Sequence, residues 1–277
     1  VSEPAEVLAA PVLAARGLIK SYRRGPEEVH ALRGVSLSLS PGDVVGLVGR
    51  SGSGKTTLLN VLAGWEHPDA GEVVWADAGE ATGSAKRRRR RALDMPWSRM
   101  AILPQGLGLV DELSVRENVE LPARLARRED GLGRAQALLD GLGLAALAER
   151  LPSEVSLGEQ QRTALARALV LRPAVLLADE PTGHQDAGWS NGVFTAIRAA
   201  AAEGTACLVA THNHEVLRFT SRVVAIADGE LSEAPQPPRE PEPESEPEAE
   251  GEPPVKPPRP RRPRTARAAA ERPPPGA

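Results

Sequence analysis

Gly49–Thr56 reads G-R-S-G-S-G-K-T, an eight-residue string whose chemistry is the holding of phosphate. Its glycines let backbone N–H groups approach oxygen closely, and a helix starting directly behind it favours negative charge at its N-terminus. In this pattern Lys55 reaches the β- and γ-phosphates and the Thr56 hydroxyl binds Mg²⁺. Gly49, Arg50, Ser51, Gly52, Ser53, Gly54, Lys55, Thr56 and Thr57 are therefore candidate nucleotide-binding residues. Farther on, L-L-A-D-E-P at Leu176–Pro181 ends an apolar run with an acidic pair, where α/β proteins place ligand-binding groups. Asp179 suits Mg²⁺, mostly through water, and Glu180 suits polarising an attacking water, since a carboxylate is the available acceptor at neutral pH. Ser156 and Glu159, within S-L-G-E-Q-Q-R, form an S-x-x-E capping box that alone reads as a helix start. His212 after Thr211, alone, reads as structural. Their order along the chain, with Gln105 between the loop and the capping box, is what makes the set informative.

The elements needed to position these groups are legible as well. Residues 12–48 read as short strands, from V-L-A-A-R-G-L-I-K through V-S-L-S-L-S and a Pro41-Gly42 turn to V-V-G-L-V. The last runs into the Gly49 loop, and T-T-L-L-N-V-L-A-G follows as a helix ending at Gly64, the strand–loop–helix context of a phosphate loop. Residues 106–155 read as mostly helical, with Gly and Pro interruptions. From Ser156 the pattern alternates: a helix to Leu171, a strand at Val175–Ala178, and a helix with Trp189, Val193 and Ile197 on one face. A strand at Ala206–Ala210, a short helix near Glu215–Phe219 and a strand at Val223–Ala227 complete it. The predicted fold is α/β, with a parallel sheet flanked by helices on both faces.

Composition narrows the function classes. A net charge of −3 argues against a nucleic-acid binder, and none is expected as a partner. One cysteine, Cys207, excludes an internal disulfide and reads as an inert core thiol. No apolar stretch approaches the roughly 20 residues that span a bilayer, and V-S-E-P-A-E-V lacks the features of a secretory signal. Residues 233–277 turn Pro- and Glu-rich, then Pro- and Arg-rich, and are expected to be a disordered tail. The run K-R-R-R-R-R at 86–91 reads as a solvated surface loop, with contact to anionic lipid headgroups as the sharper alternative.

Over about residues 12–232, the ordered motifs resemble the nucleotide-binding subunit of an ATP-binding cassette transporter. The resemblance implies a P-loop NTPase core of RecA type with an N-terminal antiparallel β subdomain and an inserted helical subdomain at about 106–160. It also implies ATP and Mg²⁺ as ligands, with hydrolysis to ADP and phosphate. Tyr22 matches the aromatic that stacks on adenine. Gln105, in I-L-P-Q, matches the glutamine that touches Mg²⁺ and the attacking water and faces the membrane partner. Ser156, Gly158 and Glu159 match the segment that contacts the γ-phosphate bound on an opposite subunit. His212 matches the histidine that contacts the γ-phosphate and orients water. The implied partners are a second ATPase subunit, paired head to tail, and an integral-membrane permease. The implied location is cytoplasmic, peripheral on the inner face of the cell membrane.

E-V-H-A-L-R-G-V-S-L and L-S-V-R-E-N-V-E-L-P further resemble the subgroup serving lipoprotein release, macrolide export and peptide-antibiotic resistance. Its cell-division relatives make a regulatory ATPase that moves no cargo the alternative. Three places depart from the family pattern: Leu157 where a glycine is usual, His184-Gln185-Asp186 after P-T-G, and Asn213 after His212. If position 157 needs φ > 0 or a close backbone approach, a leucine there costs about 1–2 kcal/mol. The core catalytic set is intact, so hydrolysis is the expectation, and slow or regulated turnover is compatible with it.

Overall fold

The computed structural model describes residues 10–75, 98–182, 187–212 and 214–235. The basic run at 86–91, His184–Asp186, Asn213 and the tail beyond 235 lie outside the described residues.

Two sheets organise the described residues. Strands β1 (Leu13–Arg24), β2 (Glu27–Leu39) and β4 (Ala70–Trp75) form a three-stranded antiparallel sheet in the order β2-β1-β4. The second sheet contains β3 (Val44–Val48), β5 (Met100–Leu103), β6 (Val175–Asp179), β7 (Ala206–Thr211), β8 (Arg222–Ala227) and β9 (Glu230–Ala234). Its order is β5-β6-β7-β3-β8-β9, parallel throughout except for the antiparallel β9 at one edge. The sheet is therefore mixed rather than purely parallel, and β9 ends two residues beyond the expected limit of the ATPase region.

Among the described residues, five helices accompany the sheets. They are α1 (Lys55–Ala63), α2 (Val115–Leu125), α3 (Glu129–Gly141), α4 (Leu157–Leu169) and α5 (Ala187–Ala202), with 3₁₀ turns at Ala145–Leu147, Pro152–Glu154 and His214–Phe219.

Alternation along the central strands supplies two apolar cores, because successive side chains leave opposite faces of a sheet. Val175, Leu177, Ala206, Leu208 and Ala210 join the core shared with α1 and the antiparallel sheet. Leu176, Ala178, Cys207 and Val209 join the core shared with the other helices, together with Val193 and Ile197 of α5. Both strands are buried along their full length, the usual state of a parallel strand covered on two faces. That burial fixes the C-terminal ends of β3, β6 and β7 side by side, and the site lies at those ends.

Candidate nucleotide-binding and catalytic site

The loop after β3 is shaped by two glycines that admit no side chain. A Cβ on Gly49 would lie 2.4 Å from the Ile226 carbonyl oxygen and 2.5 Å from Ser53 Oγ. At Gly54, where φ is +107°, a Cβ would lie 2.4 Å from the Ala31 carbonyl oxygen. With the backbone drawn this close, α1 starts at Lys55, and its free N–H groups face the loop. Lys55 Nζ is folded back over the loop, donating to the Gly49 carbonyl at 2.7 Å and the Arg50 carbonyl at 3.1 Å. Ser53 Oγ is buried without a hydrogen-bond partner. A cationic amine, a cradle closed to Cβ atoms and an orphaned hydroxyl together fit an anionic oxygen ligand.

Thr56 Oγ1 donates to Asp179 Oδ2 at 2.8 Å, bridging the loop to the end of β6. Burial pushes the Asp179 carboxyl up from its ordinary pKa, opposed by this hydrogen bond. A hydroxyl and a carboxylate are the hard oxygen donors that suit Mg²⁺, which commonly takes one or two protein groups plus substrate phosphate. Among the described residues no cluster of three or more His, Cys, Asp or Glu side chains could hold a metal alone. The donor set therefore fits a cation shared with a nucleotide better than a closed protein cage.

Glu180 takes φ of +52°, a region that non-glycine residues seldom adopt. Two backbone contacts hold it there: its N–H donates to the Ala210 carbonyl at 2.9 Å, and its own carbonyl accepts from Gln161 Nε2 at 2.8 Å. The carboxylate lies 2.8 Å from His212 Nδ1 through Oε1, and the His212 N–H approaches Oε2 at 3.4 Å. The Glu180 side chain is 15% exposed and that of His212 is 73% exposed. A well-shielded carboxylate thus meets an imidazole that remains open to solvent.

A cleft of about 700 Å³ unites these groups. Its walls take Gly49, Arg50, Ser51, Gly52, Gly54, Lys55, Thr56 and Thr57 from the loop and α1, with Asp179, Glu180 and His212 from the strand ends. Gln105, exposed just after β5, and Tyr22, from β1, reach the same cleft. Val29 and Ala31 of β2 also line it and were not expected. Val29 is the cross-strand partner of Tyr22, a relation visible only once the β1–β2 register, with its bulges, is known. Gln161 sits inside the quoted S-L-G-E-Q-Q-R string, but nothing in the sequence pointed its amide at Glu180.

Ser156, Gly158 and Glu159 are not among the cleft's walls. Ser156 caps α4: its hydroxyl accepts the Glu159 N–H at 3.3 Å, and its own N–H donates to Glu159 Oε2 at 2.7 Å. That donation from the Ser156 backbone is the main cause holding the Glu159 carboxyl below its ordinary pKa. Leu157 is the first residue of α4, 46% exposed and without positive φ, so the anticipated backbone strain is absent.

Fold and cleft together define an α/β P-loop ATPase. Residues 32–183 match the family described as ABC transporter, and the chain belongs to that family as an ATP-binding, ATP-hydrolysing subunit. It is 43% identical over 224 residues to the lipoprotein-releasing system ATP-binding protein LolD 2 of Caulobacter vibrioides, spanning 80% of this chain and 96% of that protein. It is 45% identical over 224 residues to LolD of Maricaulis maris, with the same coverage of 80% and 96%. Among solved structures, the dimeric post-hydrolysis state of the ATP-binding cassette MJ0796 bound to ADP and Pi matches with a TM-score of 0.68 and 28% identity. That match covers 80% of this chain and 98% of the other. No helix among the described residues is long and apolar enough to cross a membrane.

Proposed function

We propose that two copies of this chain, or this chain and a paired ATPase subunit, close head to tail on ATP and so drive a membrane permease that releases lipoproteins. The observation carrying the paired reading is that Ser156, Gly158 and Glu159 stand apart from the cleft formed by their own chain. The Ser156 and Glu159 side chains each accept the other's backbone N–H, which leaves the start of α4 to meet a nucleotide held by a partner. The lipoprotein reading is supported by the likeness to the lipoprotein-releasing system ATP-binding proteins of Caulobacter and Maricaulis.

Within one site, Tyr22 receives the base and Lys55 the β- and γ-phosphates. Thr56 and Asp179 would hold Mg²⁺, with Gln105 beside it, and the bound cation would neutralise charge on the phosphate oxygens. Glu180 accepts the proton of the attacking water, and its fixed backbone keeps the carboxylate in place while water is aligned. His212 moves from the Glu180 carboxylate toward the γ-phosphate. Gln105, exposed at the end of β5, carries the state of the site to the permease.

The test mixes two inactive variants, Lys55→Ala and Ser156→Ala. A site shared between chains recovers activity in the mixture, because one of the two sites in each mixed dimer has both residues intact. Random pairing gives about a quarter of wild-type sites. A mixture no more active than its components would refute the sharing. Recovery of a polytopic membrane protein with Glu180→Gln from solubilised native membranes in ATP checks the permease. Recovery of soluble proteins alone would remove it.

A further inference from the structure

The Tyr22 ring is held by more than its own strand. Its hydroxyl donates to Glu66 Oε2, and Asn60 Nδ2 donates to the other carboxylate oxygen, Glu66 Oε1, at 3.0 Å. Lys20 Nζ lies over the ring at 5.5 Å from its centroid. That amine is itself fixed, donating to the His67 carbonyl at 2.8 Å and to Asp69 Oδ1 at 3.4 Å. The tyrosine nevertheless stays 36% exposed and borders the cleft. The ring is therefore clamped at its tip and covered by a cation, yet still reaches the cleft.

We propose that Glu66, oriented by Asn60, is a positioning residue that sets the plane of the Tyr22 ring for stacking an aromatic nucleobase. This rests on the reading of Tyr22 as the base platform and adds to it the group that makes the platform rigid. Stacking depends on ring offset and plane, and a ring already held in its bound orientation loses less freedom on binding. Asn60 lies on α1, the helix that begins with Lys55. The clamp therefore ties the base platform to the helix carrying the phosphate lysine, and so fixes the span between the two ends of a nucleotide.

The experiment measures binding of ATP and of inorganic tripolyphosphate to the full chain by calorimetry. Glu66→Ala weakens ATP roughly fivefold, the scale of one lost hydrogen bond to a charged group, and leaves tripolyphosphate unchanged. Glu66→Gln, which keeps an acceptor for the tyrosine hydroxyl, restores ATP affinity. Tyr22→Phe reproduces the loss, and combining it with Glu66→Ala adds nothing further. Equal weakening of both ligands by Glu66→Ala would overturn the proposal, because the residue would then only shape the loop. So would unchanged ATP affinity in Glu66→Ala while Tyr22→Ala loses it, since the ring would need no clamp. Unchanged ATP affinity in Tyr22→Ala would remove the platform reading itself.

Discussion

Gly54→Ala and Gly52→Ala form a pair that separates two costs of adding one methyl group to the phosphate loop. Both glycines have positive φ, +107° at Gly54 and +78° at Gly52. Alanine in such a conformation costs about 1–2 kcal/mol, offset by about 0.4–1 kcal/mol because it stiffens the unfolded chain. Gly52 has nothing within 4 Å of the added Cβ, so only this net cost of about 1 kcal/mol applies. At Gly54 the Cβ would lie 2.4 Å from the Ala31 carbonyl oxygen, a backbone atom of β2 that can withdraw only if the strand moves. Overpacking of that kind adds about 1–3 kcal/mol, for a total near 3 kcal/mol. For a domain of this size each kcal/mol shifts Tm by about 2–4 °C, giving about 2–4 °C for Gly52→Ala and about 6–12 °C for Gly54→Ala. Thermal unfolding without nucleotide, followed by circular dichroism, measures both. Melting of the two variants within a degree of each other would show that β2 does not press on the loop, and the steric argument would fail.

Asp179→Asn should abolish Mg²⁺-dependent hydrolysis and yet raise the nucleotide-free Tm at neutral pH. Its folded pKa lies above the unfolded one because of burial, so the wild type loses stability as pH rises through that window, and the amide does not. The advantage of the variant should therefore fade as pH falls to the ordinary aspartate range; Tm measured across pH checks this, and an advantage that grew on acidification would refute it. Cys207, the only cysteine, is fully buried and its thiol is pushed up to about 12. A thiol reagent at pH 8 should label it only at the rate of unfolding, whereas rapid stoichiometric labelling of the native protein would contradict the burial.

The parts of the fold legible in the sequence are those where burial imposes a pattern. Val175–Asp179 and Ala206–Thr211 are wholly apolar until their last residues, and a strand reading was unavoidable. Gly64 ends α1 in the left-handed conformation at φ of 75°, with its N–H on the Val61 carbonyl, as expected of a glycine behind an apolar run. The strands β4, β5 and β9 were not read. A-G-E-V-V-W carries a glycine and a charge, M-A-I-L is only four residues, and E-L-S-E-A is mostly exposed, so none shows a periodicity. Each is specified by its neighbour rather than by itself. The same holds for the site. That Lys55, Thr56 and Asp179 come together at the cleft was legible because each stands in a short characteristic string. The grip of Glu66 on Tyr22 joins residues 44 apart, and the contact of Gln161 with the Glu180 carbonyl joins residues 19 apart. Pro122 made the helix boundaries near 106–155 uncertain, yet α2 passes through it, its start secured by the Ser114–Glu117 capping box and its buried face by Val115 and Val119.

Among the described residues, the outermost strands of the six-stranded sheet are both short. At one rim, β5 offers four residues; at the other, β9 offers five and carries Glu230 and Glu233. Short rims of this kind discourage a second chain from hydrogen-bonding alongside. A continuous sheet running through two molecules would be hard to part once formed. In the pairing proposed above, contact would then be left to side chains and to the nucleotide between them, and it could open again each time the nucleotide is consumed.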